Sequence, residues 1–342
     1  MKRQRIELDE VAAPENLQAA LWAAARGKHT RPDVAAFLAD APARLLPVRQ
    51  ALLDARLPVG RLHRFTIQDP KPRVIHAAPF ADRVAHHALM RLMEPRLEQA
   101  LVPTSFACRP GRGVHAALLH AQAQMQRQRW YVKLDVRHCF PSIPHSLLLA
   151  LLQRRFKGSA LALAAHIVQA HAASPGHGLP IGSLTSQHFA NQYLGELDRF
   201  ALAHPACLAH VRYMDDVVLW APGREEAHAL CRAVQQWVPQ QLALELKPAQ
   251  VQRCEHGLAL CGMRLGLHGM QLGQRRQRAW RQRWRSLKVA WQTHTLTAEQ
   301  AQLQCNTLRS LAAPAEAAAW QRRVLGAGFD LDLRAAAPGG HG

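Results

Sequence analysis

Two adjacent carboxylates lie between apolar, β-forming residues in the stretch Val211-Arg212-Tyr213-Met214-Asp215-Asp216-Val217-Val218-Leu219-Trp220. The residues on either side predict two strands, which places Asp215 and Asp216 at the tip of a tight hairpin. Neighbouring carboxylates repel each other, and divalent cations commonly compensate such a pair. Both residues are therefore candidate metal ligands, although an exposed acidic turn fits the same stretch. A third carboxylate on another strand would distinguish the two interpretations.

A second apolar strand is predicted upstream, at Trp130-Tyr131-Val132-Lys133-Leu134-Asp135-Val136. A charge inside a buried strand is costly unless a partner neutralises it. Asp135 is therefore the expected third carboxylate. Three acids on neighbouring strands are typical of a two-metal centre for phosphoryl transfer, in which catalysis consists of placement and charge neutralisation. A nuclease and a polymerase both meet this description.

The composition favours a polyanionic partner. The chain of 342 residues carries a formal charge of +19 and has a pI near 10.8, which points to nucleic acid more than to a generally basic protein. Its seven cysteines form no CxxC pair, which argues against a disulfide framework and a zinc ribbon. We find no signal peptide and no apolar run long enough for a membrane span, so we expect a cytoplasmic protein.

Two basic segments precede the Asp135 strand. Short extended pieces flank a turn at Asp69-Pro70, and Lys71 and Arg73 on such a hairpin could hold a triphosphate, although a solvated hairpin fits equally well. The glycine-rich loop from Ser105 to Gly113 opens a helix, where Arg109 and Arg112 suit a phosphate.

Helical periodicity recurs along the chain. Residues 15 to 56 read as helices that form either a packing extension or part of a nucleic-acid surface. Further helices are expected from Phe80 to Ala100, up to about Phe156, and from Arg224 to Leu246, with Lys247 just past the last of them. A loop from Gly178 to Gln187 is expected to start another helix, from Phe189 to Leu202. Two short strands are expected around a turn at Gly262 to Gly269.

The C-terminal region is strongly basic. No acid occurs between His256 and Ala298, whereas Trp280, Trp284 and Leu287 recur there at helical spacing. The arginines beside this apolar seam predict a track for a phosphate backbone. They include Arg275, Arg276, Arg278, Arg281 and Arg285. The segment from Ala335 to Gly342 is rich in small residues and is expected to be disordered.

Three motifs in this order resemble the signature blocks of reverse transcriptases, in particular bacterial, group II intron-like members. They are Asp135 followed by Phe140-Pro141-Ser142-Ile143, the loop from Leu179 to Gln187, and Tyr213-Met214-Asp215-Asp216. The likeness extends from about Lys71 to Gly266 and separates the polymerase from the nuclease. It implies an α+β right-hand polymerase with an antiparallel palm sheet. The implied divisions are a helical N-terminal extension (1–60), fingers (61–129), a palm (130–265, with fingers-side elements around 157–185), and a helical basic thumb with a flexible tail (266–342).

The resemblance also implies roles for individual residues. Two Mg²⁺ ions would bind at Asp135, Val136, Asp215 and Asp216, the three acids being catalytic. Phe140 corresponds to the bulky gate that rejects a ribose 2′-hydroxyl, and Lys247 to the lysine that protonates pyrophosphate. Further nucleotide contacts are expected at Lys71, Arg73, Ile181, Gly182 and Gln187. Nucleic-acid contacts are expected at Arg109, Arg112, Tyr213, Met214 and the C-terminal arginines, which would follow the minor groove of an RNA:DNA hybrid.

The loop indicates a subtype. Most reverse transcriptases have Gln-Gly in it and end it with Ser-Pro, whereas this chain has Ile181-Gly182 and Ser186-Gln187. The run resembles the enzymes of diversity-generating retroelements, which copy a template-repeat RNA into cDNA with errors opposite adenines and act with a small basic pentameric accessory protein. Alternatives are a free-standing or defence-associated bacterial reverse transcriptase and, from another class, an RNA-binding scaffold with a silent site.

Overall fold

A computed structural model of the chain describes residues 2–57, 62–68, 72–170 and 173–312, with the backbone alone at 72–73 and 309–312. Its helices are α1 Leu8–Val11, α2 Pro14–Ala25, α3 Pro32–Ala39, α4 Ala41–Leu53, α5 Phe80–Gln99, α6 Val114–Arg127, α7 Cys139–Ser142, α8 His145–Gln153, α9 Ala160–Ala170, α10 Leu184–Ala203, α11 Arg224–Leu242, α12 Gln274–Gln292 and α13 Ala298–Ala312. Its strands are β1 Gln4–Arg5, β2 His63–Gln68, β3 Pro72–Ala77, β4 Trp130–Asp135, β5 Phe156–Lys157, β6 Ala209–Tyr213, β7 Asp216–Ala221, β8 Gln250–Arg253, β9 Leu258–Leu260, β10 Met263–Gly266 and β11 Gly269–Leu272.

The central sheet has the strand order β6-β7-β4-β8, and every neighbouring pair is antiparallel. Alternate residues of its inner strands enter two different cores. Val132 and Leu219 face a large helical core, whereas Tyr131 and Trp220 face a smaller one that includes α6 and the β9–β11 sheet. Because both faces are covered, the inner strands read as continuous apolar runs. The predicted mixed helix and sheet fold with an antiparallel sheet is confirmed.

The N-terminal helices belong to the main core. Leu17, Leu21 and Phe37 are buried in it, and α2 packs along α5. These helices therefore contribute to the main core, and a nucleic-acid surface on this segment stays a prediction. Trp22 and Leu46 of the same helices are 55% and 67% exposed.

The basic hairpin forms as predicted, with β2 and β3 antiparallel and Phe65 opposite Ile75. Lys71 and the turn at Asp69-Pro70 lie outside the described residues, and Arg73 is described by its backbone alone. The segment from Ala335 to Gly342 also lies outside them.

One predicted boundary beside the central sheet was wrong, and one strand was not predicted. Helix α11 ends at Leu242 instead of Leu246, because Ala243 adopts a left-handed conformation with φ of 48°. The chain then runs extended, so that the Lys247 N–H donates to the Asp135 carbonyl at 2.9 Å. The edge strand β8 follows at Gln250–Arg253 and had not been predicted, since its residues are mostly polar.

The C-terminal part has its own core. Strands β9, β10 and β11 form a small antiparallel sheet, so the predicted pair of short strands is a set of three. Helices α12 and α13 then pack on each other around Trp280, Leu287, Ala301, Cys305 and Leu308. Within the described residues, no helix is long and apolar enough to cross a membrane.

Gly158 holds the N-terminal strand against the rest of the fold. Its φ is +100°, and a Cβ there would collide with the Ile6 carbonyl, which lies just after β1. We expect Gly158→Ala to lower the free energy of unfolding by about 2–4 kcal/mol, since backbone strain and a backbone clash add. Gly27→Ala is the control, because Gly27 also has positive φ but has open space around it, and should cost about 1 kcal/mol. Equal urea midpoints for the two variants would contradict this.

Candidate active site

The central sheet brings the three predicted carboxylates together. Asp135 ends β4 and pairs directly with Asp216, which begins β7, while Asp215 lies in the turn between β6 and β7. Like charges directly opposite each other on paired strands are destabilising. The predicted hairpin tip and the predicted third acid are both confirmed, and the exposed acidic turn is excluded because Asp215 and Asp216 are half-buried.

Two lysines neutralise part of this charge. Lys247 Nζ lies 2.6 Å from Asp135 Oδ1, and Lys133 Nζ lies 3.3 Å from Asp216 Oδ1. Lys133 also donates to the Ala259 carbonyl at 2.8 Å. Burial is the largest cause that raises the pKa of Asp215 and of Asp216, and the neighbouring carboxylates add to it. The site therefore concentrates negative charge beyond what its own cations fully offset.

The donor chemistry of this site suits a hard divalent cation, because carboxylate oxygens are the ligands that Mg²⁺ prefers. Val136 is the fourth residue predicted at the metal site, and its N–H lies 3.4 Å from the Asp215 carbonyl oxygen. As placed, however, no three His, Cys, Asp or Glu side chains in the described part of the chain converge on a common metal position. Lysine ammonium groups occupy one oxygen each of Asp135 and Asp216 instead.

A buried ion pair lies directly behind the hairpin. Arg212 of β6 and Asp198 of α10 are both fully buried, and Arg212 Nε donates to both carboxylate oxygens at 2.7 and 2.9 Å, with Nη2 donating to Oδ2 at 2.8 Å. Burial would raise the pKa of Asp198, but the charge of Arg212, with that of His210, holds it well below its usual range. A buried pair with this many hydrogen bonds is well compensated.

The remaining donors of Arg212 extend the network to the hairpin tip. Nη1 donates to the Met214 carbonyl at 3.2 Å and to Asn191 Oδ1 at 2.8 Å. Asn191 Nδ2 in turn donates to the Ala107 carbonyl at 2.7 Å. Met214 has φ of 55°, a left-handed conformation that costs a non-glycine residue roughly 1 kcal/mol. The guanidinium thus fixes a strained tip to helix α10.

The loop before α10 is held between the hairpin β2–β3 and the segment after Asp135. The Ile181 carbonyl accepts from the His76 N–H, and the Leu179 N–H donates to the Phe140 carbonyl, both at 2.9 Å. Gly182 has φ of +108°, and a Cβ there would lie 3.0 Å from Ile75 Cγ2. Ile181 and Gly182 therefore lie beside β3, the strand that carries Arg73, and Leu179 links the same loop to Phe140.

The second half of this motif is helical, and its prediction as a loop was wrong. Helix α10 begins at Leu184, so Gln187 lies in its first turn instead of before Phe189. The reason is a contact distant in sequence: the Ser183 hydroxyl and Thr185 Oγ1 each lie 3.0 Å from Nδ1 of buried His86 on α5. The two hydroxyls also lie 2.9 Å apart, so α5 fixes the start of α10.

Comparison with known proteins agrees with this geometry. The profile of the family described as reverse transcriptase (RNA-dependent DNA polymerase) matches residues 68–287, more than half of the chain. This chain belongs to the reverse transcriptase family.

Several relatives carry intron-related names. The group II intron-encoded protein LtrA of Lactococcus lactis subsp. cremoris is 28% identical over 152 residues, covering 42% of this chain and 25% of LtrA. An uncharacterized 91 kDa protein in a cob intron of Schizosaccharomyces pombe is 32% identical over 161 residues, 45% of this chain and 18% of that protein. Protein YkfC of Escherichia coli is 27% identical over 142 residues, 38% and 37% of the two chains. The alignments thus span well under half of each relative, and the predicted likeness to group II intron-encoded proteins is confirmed.

The two arginines of the glycine-rich loop differ in this reverse transcriptase. The side chain of Arg109 is 5% exposed, binds Glu98 at 2.6 Å and donates to the Val102 and Ser105 carbonyls. Its guanidinium is thus committed to the protein. Arg112 is exposed, lies 5.6 Å from the Phe106 ring centre, and keeps a surface that a phosphate could reach. Nucleic-acid contacts at both residues stay predictions.

Helix α12 forms where it was predicted, but its tryptophans face inward. Trp280 stacks on Trp284 with ring centres 6.0 Å apart, and its Nε1 donates to the Leu308 carbonyl of α13. The apolar seam is therefore the contact with α13. The predicted arginines are distributed around the rest of the helix: Arg275, Arg278 and Arg285 are exposed, Arg281 is half-buried, and Arg276 Nη1 lies 4.0 Å from Met263 Sδ.

Sequence reasoning missed the residues that position the site. Arg212 stands inside the quoted apolar stretch, and a charge in a buried strand needs a partner, the same argument that identified Asp135. That signal predicts a partner for Arg212 but does not identify it. The partners are Asp198 and Asn191, which lie on α10, 14 and 21 residues from Arg212 in sequence. Lys133 carried the same signal, since it lies in the apolar strand that contains Asp135, whereas His86 carried no local signal.

The ion pair behind the hairpin can be tested by comparing a single substitution with a double substitution. Asp198→Leu leaves the Arg212 guanidinium buried without a counter-charge, and we expect a loss of about 3–5 kcal/mol in the free energy of unfolding. The double variant Asp198→Leu/Arg212→Met should recover most of that loss, because neither charge remains. Additive losses in urea unfolding would show that the two residues do not act as a pair.

Proposed function

We propose that this reverse transcriptase is an RNA-directed DNA polymerase. The observation that carries the proposal is the direct pairing of Asp135 with Asp216, with Asp215 at the adjoining tip, in a chain of this family. The 3′-hydroxyl of a primer attacks the α-phosphate of a dNTP on an RNA template, a phosphodiester bond forms, and pyrophosphate leaves. Such a reaction depends on positioning and charge neutralisation.

The carboxylates Asp135, Asp215 and Asp216, with Val136 beside them, would hold two Mg²⁺ ions. When bound, these ions supply a lowered pKa for the attacking hydroxyl and stabilise charge on the leaving group. The contribution of the chain itself is the fixed tip and the density of negative charge. Lys247 and Lys133 hold two of the carboxylates in place before loading. Lys247, whose ammonium lies 2.6 Å from Asp135, is also the proposed proton donor to pyrophosphate.

Substrate selection belongs to the group around the loop. Phe140 is half-buried against the main core, and its carbonyl holds Leu179, so its ring has little freedom to yield to a ribose 2′-hydroxyl. Ile181 and Gly182 lie against β3, and we propose Lys71 and Arg73 of that hairpin as the triphosphate contacts. Gln187, Tyr213 and Met214 complete the proposed contacts to the nascent pair and primer.

The right-hand architecture follows as a proposal from these positions. The central sheet corresponds to the palm, β2–β3 with α5 and α6 to the fingers, and α12 with α13 to the thumb. The thumb would begin at about Gln274 and not at 266, because Leu272 of β11 packs in the core under the central sheet. The arginines of α12 would follow the backbone of an RNA:DNA hybrid.

Finer still, we propose error-prone copying of a template-repeat RNA, supported by the resemblance of the Ile181-to-Gln187 run to diversity-generating enzymes. Ile181 presents an apolar side chain where a Gln would offer hydrogen bonds, which should relax geometric selection of the nascent pair. A small basic pentameric accessory protein is proposed as the partner on the same ground, and we also propose a cytoplasmic location.

Primer extension tests the polymerase. On a defined RNA template with Mg²⁺ and dNTPs, we expect Asp215→Ala to reduce the extension rate on the order of 10³-fold or more. The reason is that the metal centre, which neutralises charge at the reacting phosphate, loses a carboxylate ligand. Glu225→Ala, an exposed carboxylate on α11, is the control and should leave the rate unchanged. Extension that survives Asp215→Ala would favour a binding scaffold instead.

Sequencing of the products tests the subtype. Ile181→Gln should lower misincorporation opposite template adenine several-fold while other errors change little, and Ile181→Leu, which keeps an apolar side chain, should behave like the parent. If Ile181→Gln leaves the adenine errors unchanged, the proposed role of this residue fails. A parent enzyme without adenine-directed errors would favour a free-standing or defence-associated reverse transcriptase.

A further inference from the structure

Six cations collect where strands β1 and β5 meet the far ends of α5 and α8. We call them the arginine patch, and they are Arg5, Arg96, Arg154, Arg155, Lys157 and Arg199. The parallel pair β1–β5 sets Arg5 directly opposite Lys157, and both are exposed. Like charges in this relation repel. The arrangement thus keeps two positive charges side by side on the surface.

The arginines in this patch are close to one another. Burial and then the charges of Arg199, Arg96 and Arg154 lower the pKa of Arg155, which is half-buried. Arg154 and Glu196 line the same cleft, and Glu196 binds Arg199 at 2.6 Å. Of these four guanidinium groups, Arg199 forms the ion pair with Glu196, and the charge of Glu196 also acts on Arg155.

The protein itself compensates this charge in part. Glu196 pairs with Arg199, and Glu7 pairs with Arg5 at 2.6 Å while it also accepts from the Ser159 N–H at 2.8 Å. Cations at the C-terminal end of a helix offset the helix dipole, which accounts for Arg96 of α5 and for Arg154, the C-cap of α8. The helix dipole does not account for Lys157, which lies on a strand.

The patch lies away from the loop before α10. His86 of α5 contacts Ser183 at the end of that loop, and Arg96 follows ten residues later on the same helix, roughly 15 Å along its axis. Arg199 lies sixteen residues beyond Ser183 on α10, roughly 24 Å away at the same rise per residue. Helices α5 and α10 therefore separate the patch from this loop.

We propose that the arginine patch binds the phosphate backbone of a folded RNA segment outside the catalytic cleft, as part of the same RNA that is being copied. This inference rests on the proposed function. Guanidinium groups pair with phosphates bidentately, and five of the six cations are arginines. An acidic protein is less suited, since stable protein interfaces have an apolar centre and the patch consists of charges.

Two templates and two triple variants of the full chain test this. One template is an RNA of about 20 nucleotides annealed to a DNA primer, and the other adds a 5′ hairpin of about 40 nucleotides, long enough to reach from the cleft to the patch. Arg5→Gln/Arg154→Gln/Lys157→Gln changes three exposed cations of the patch. Arg49→Gln/Arg224→Gln/Arg232→Gln removes the same charge from exposed positions elsewhere.

The patch variant should bind the hairpin-bearing template on the order of tenfold more weakly at ~0.1 M salt, and its slope of log K against log salt should fall by about 2. Extension of the short template should stay unchanged, as should all properties of the control variant. The proposal would be overturned by equal losses of template affinity in both variants, by equal losses of affinity for both templates, or by no loss of affinity. Loss of binding to polyglutamate with RNA binding intact would point to an acidic protein and also overturn it. A parent chain that binds RNA but extends neither template would refute the proposed function separately.

Discussion

The buried pair of Arg212 and Asp198 is the constraint on which the arrangement of the site depends. Strand β6 ends at the hairpin tip that carries Asp215, and α10 begins after the loop that contains Ile181 and Gly182, so one ion pair joins the elements that position both parts of the candidate site. Charges in such an interior are expensive unless every donor and acceptor is used. Arg212 satisfies this condition through Asp198, Asn191 and the Met214 carbonyl. A shift of α10 along β6 would break several of these bonds at once, which specifies a single register.

A lysine that pairs with one of the carboxylates connects the central sheet to the C-terminal part of the chain. Lys133 contacts Asp216 and donates to the Ala259 carbonyl of β9, so the small sheet is linked to one of the three clustered carboxylates. The Gly273 N–H, just before α12, donates to the Gly262 carbonyl at 3.0 Å in the turn between β9 and β10. A path of direct contacts therefore runs from Asp216 to the start of the basic helix. A change in the charge around Asp216 would act first on Lys133. Through Lys133 it would act on the small sheet β9–β11, which precedes α12.

The parts predicted from sequence were those with a short-range signal. The hairpin, the Asp135 strand and α5 follow from apolar patterns of fixed period, and the structure has them within a few residues. The edge strand β8 was missed because its residues, Gln250–Arg253, are largely polar, and no local pattern distinguishes such a strand from a loop. The start of α10 was missed because His86, almost a hundred residues earlier, uses the Ser183 hydroxyl. Asp198 was likewise invisible, since only tertiary structure places it beside Arg212.

The basic helix α12 shows why charge and apolar periodicity need to be separated before a binding surface is assigned. Its tryptophans and its arginines share one amphipathic segment, and sequence alone allows both sets to approach a nucleic acid. In the fold, Trp280 and Leu287 are almost fully buried against α13. Their burial orders the helix, because large apolar side chains contribute most of the stability of an amphipathic helix. The arginines are thus presented from a backbone that is already fixed. A polyanion bound there would pay little ordering entropy in the protein, and its affinity would depend on salt much more than on sequence.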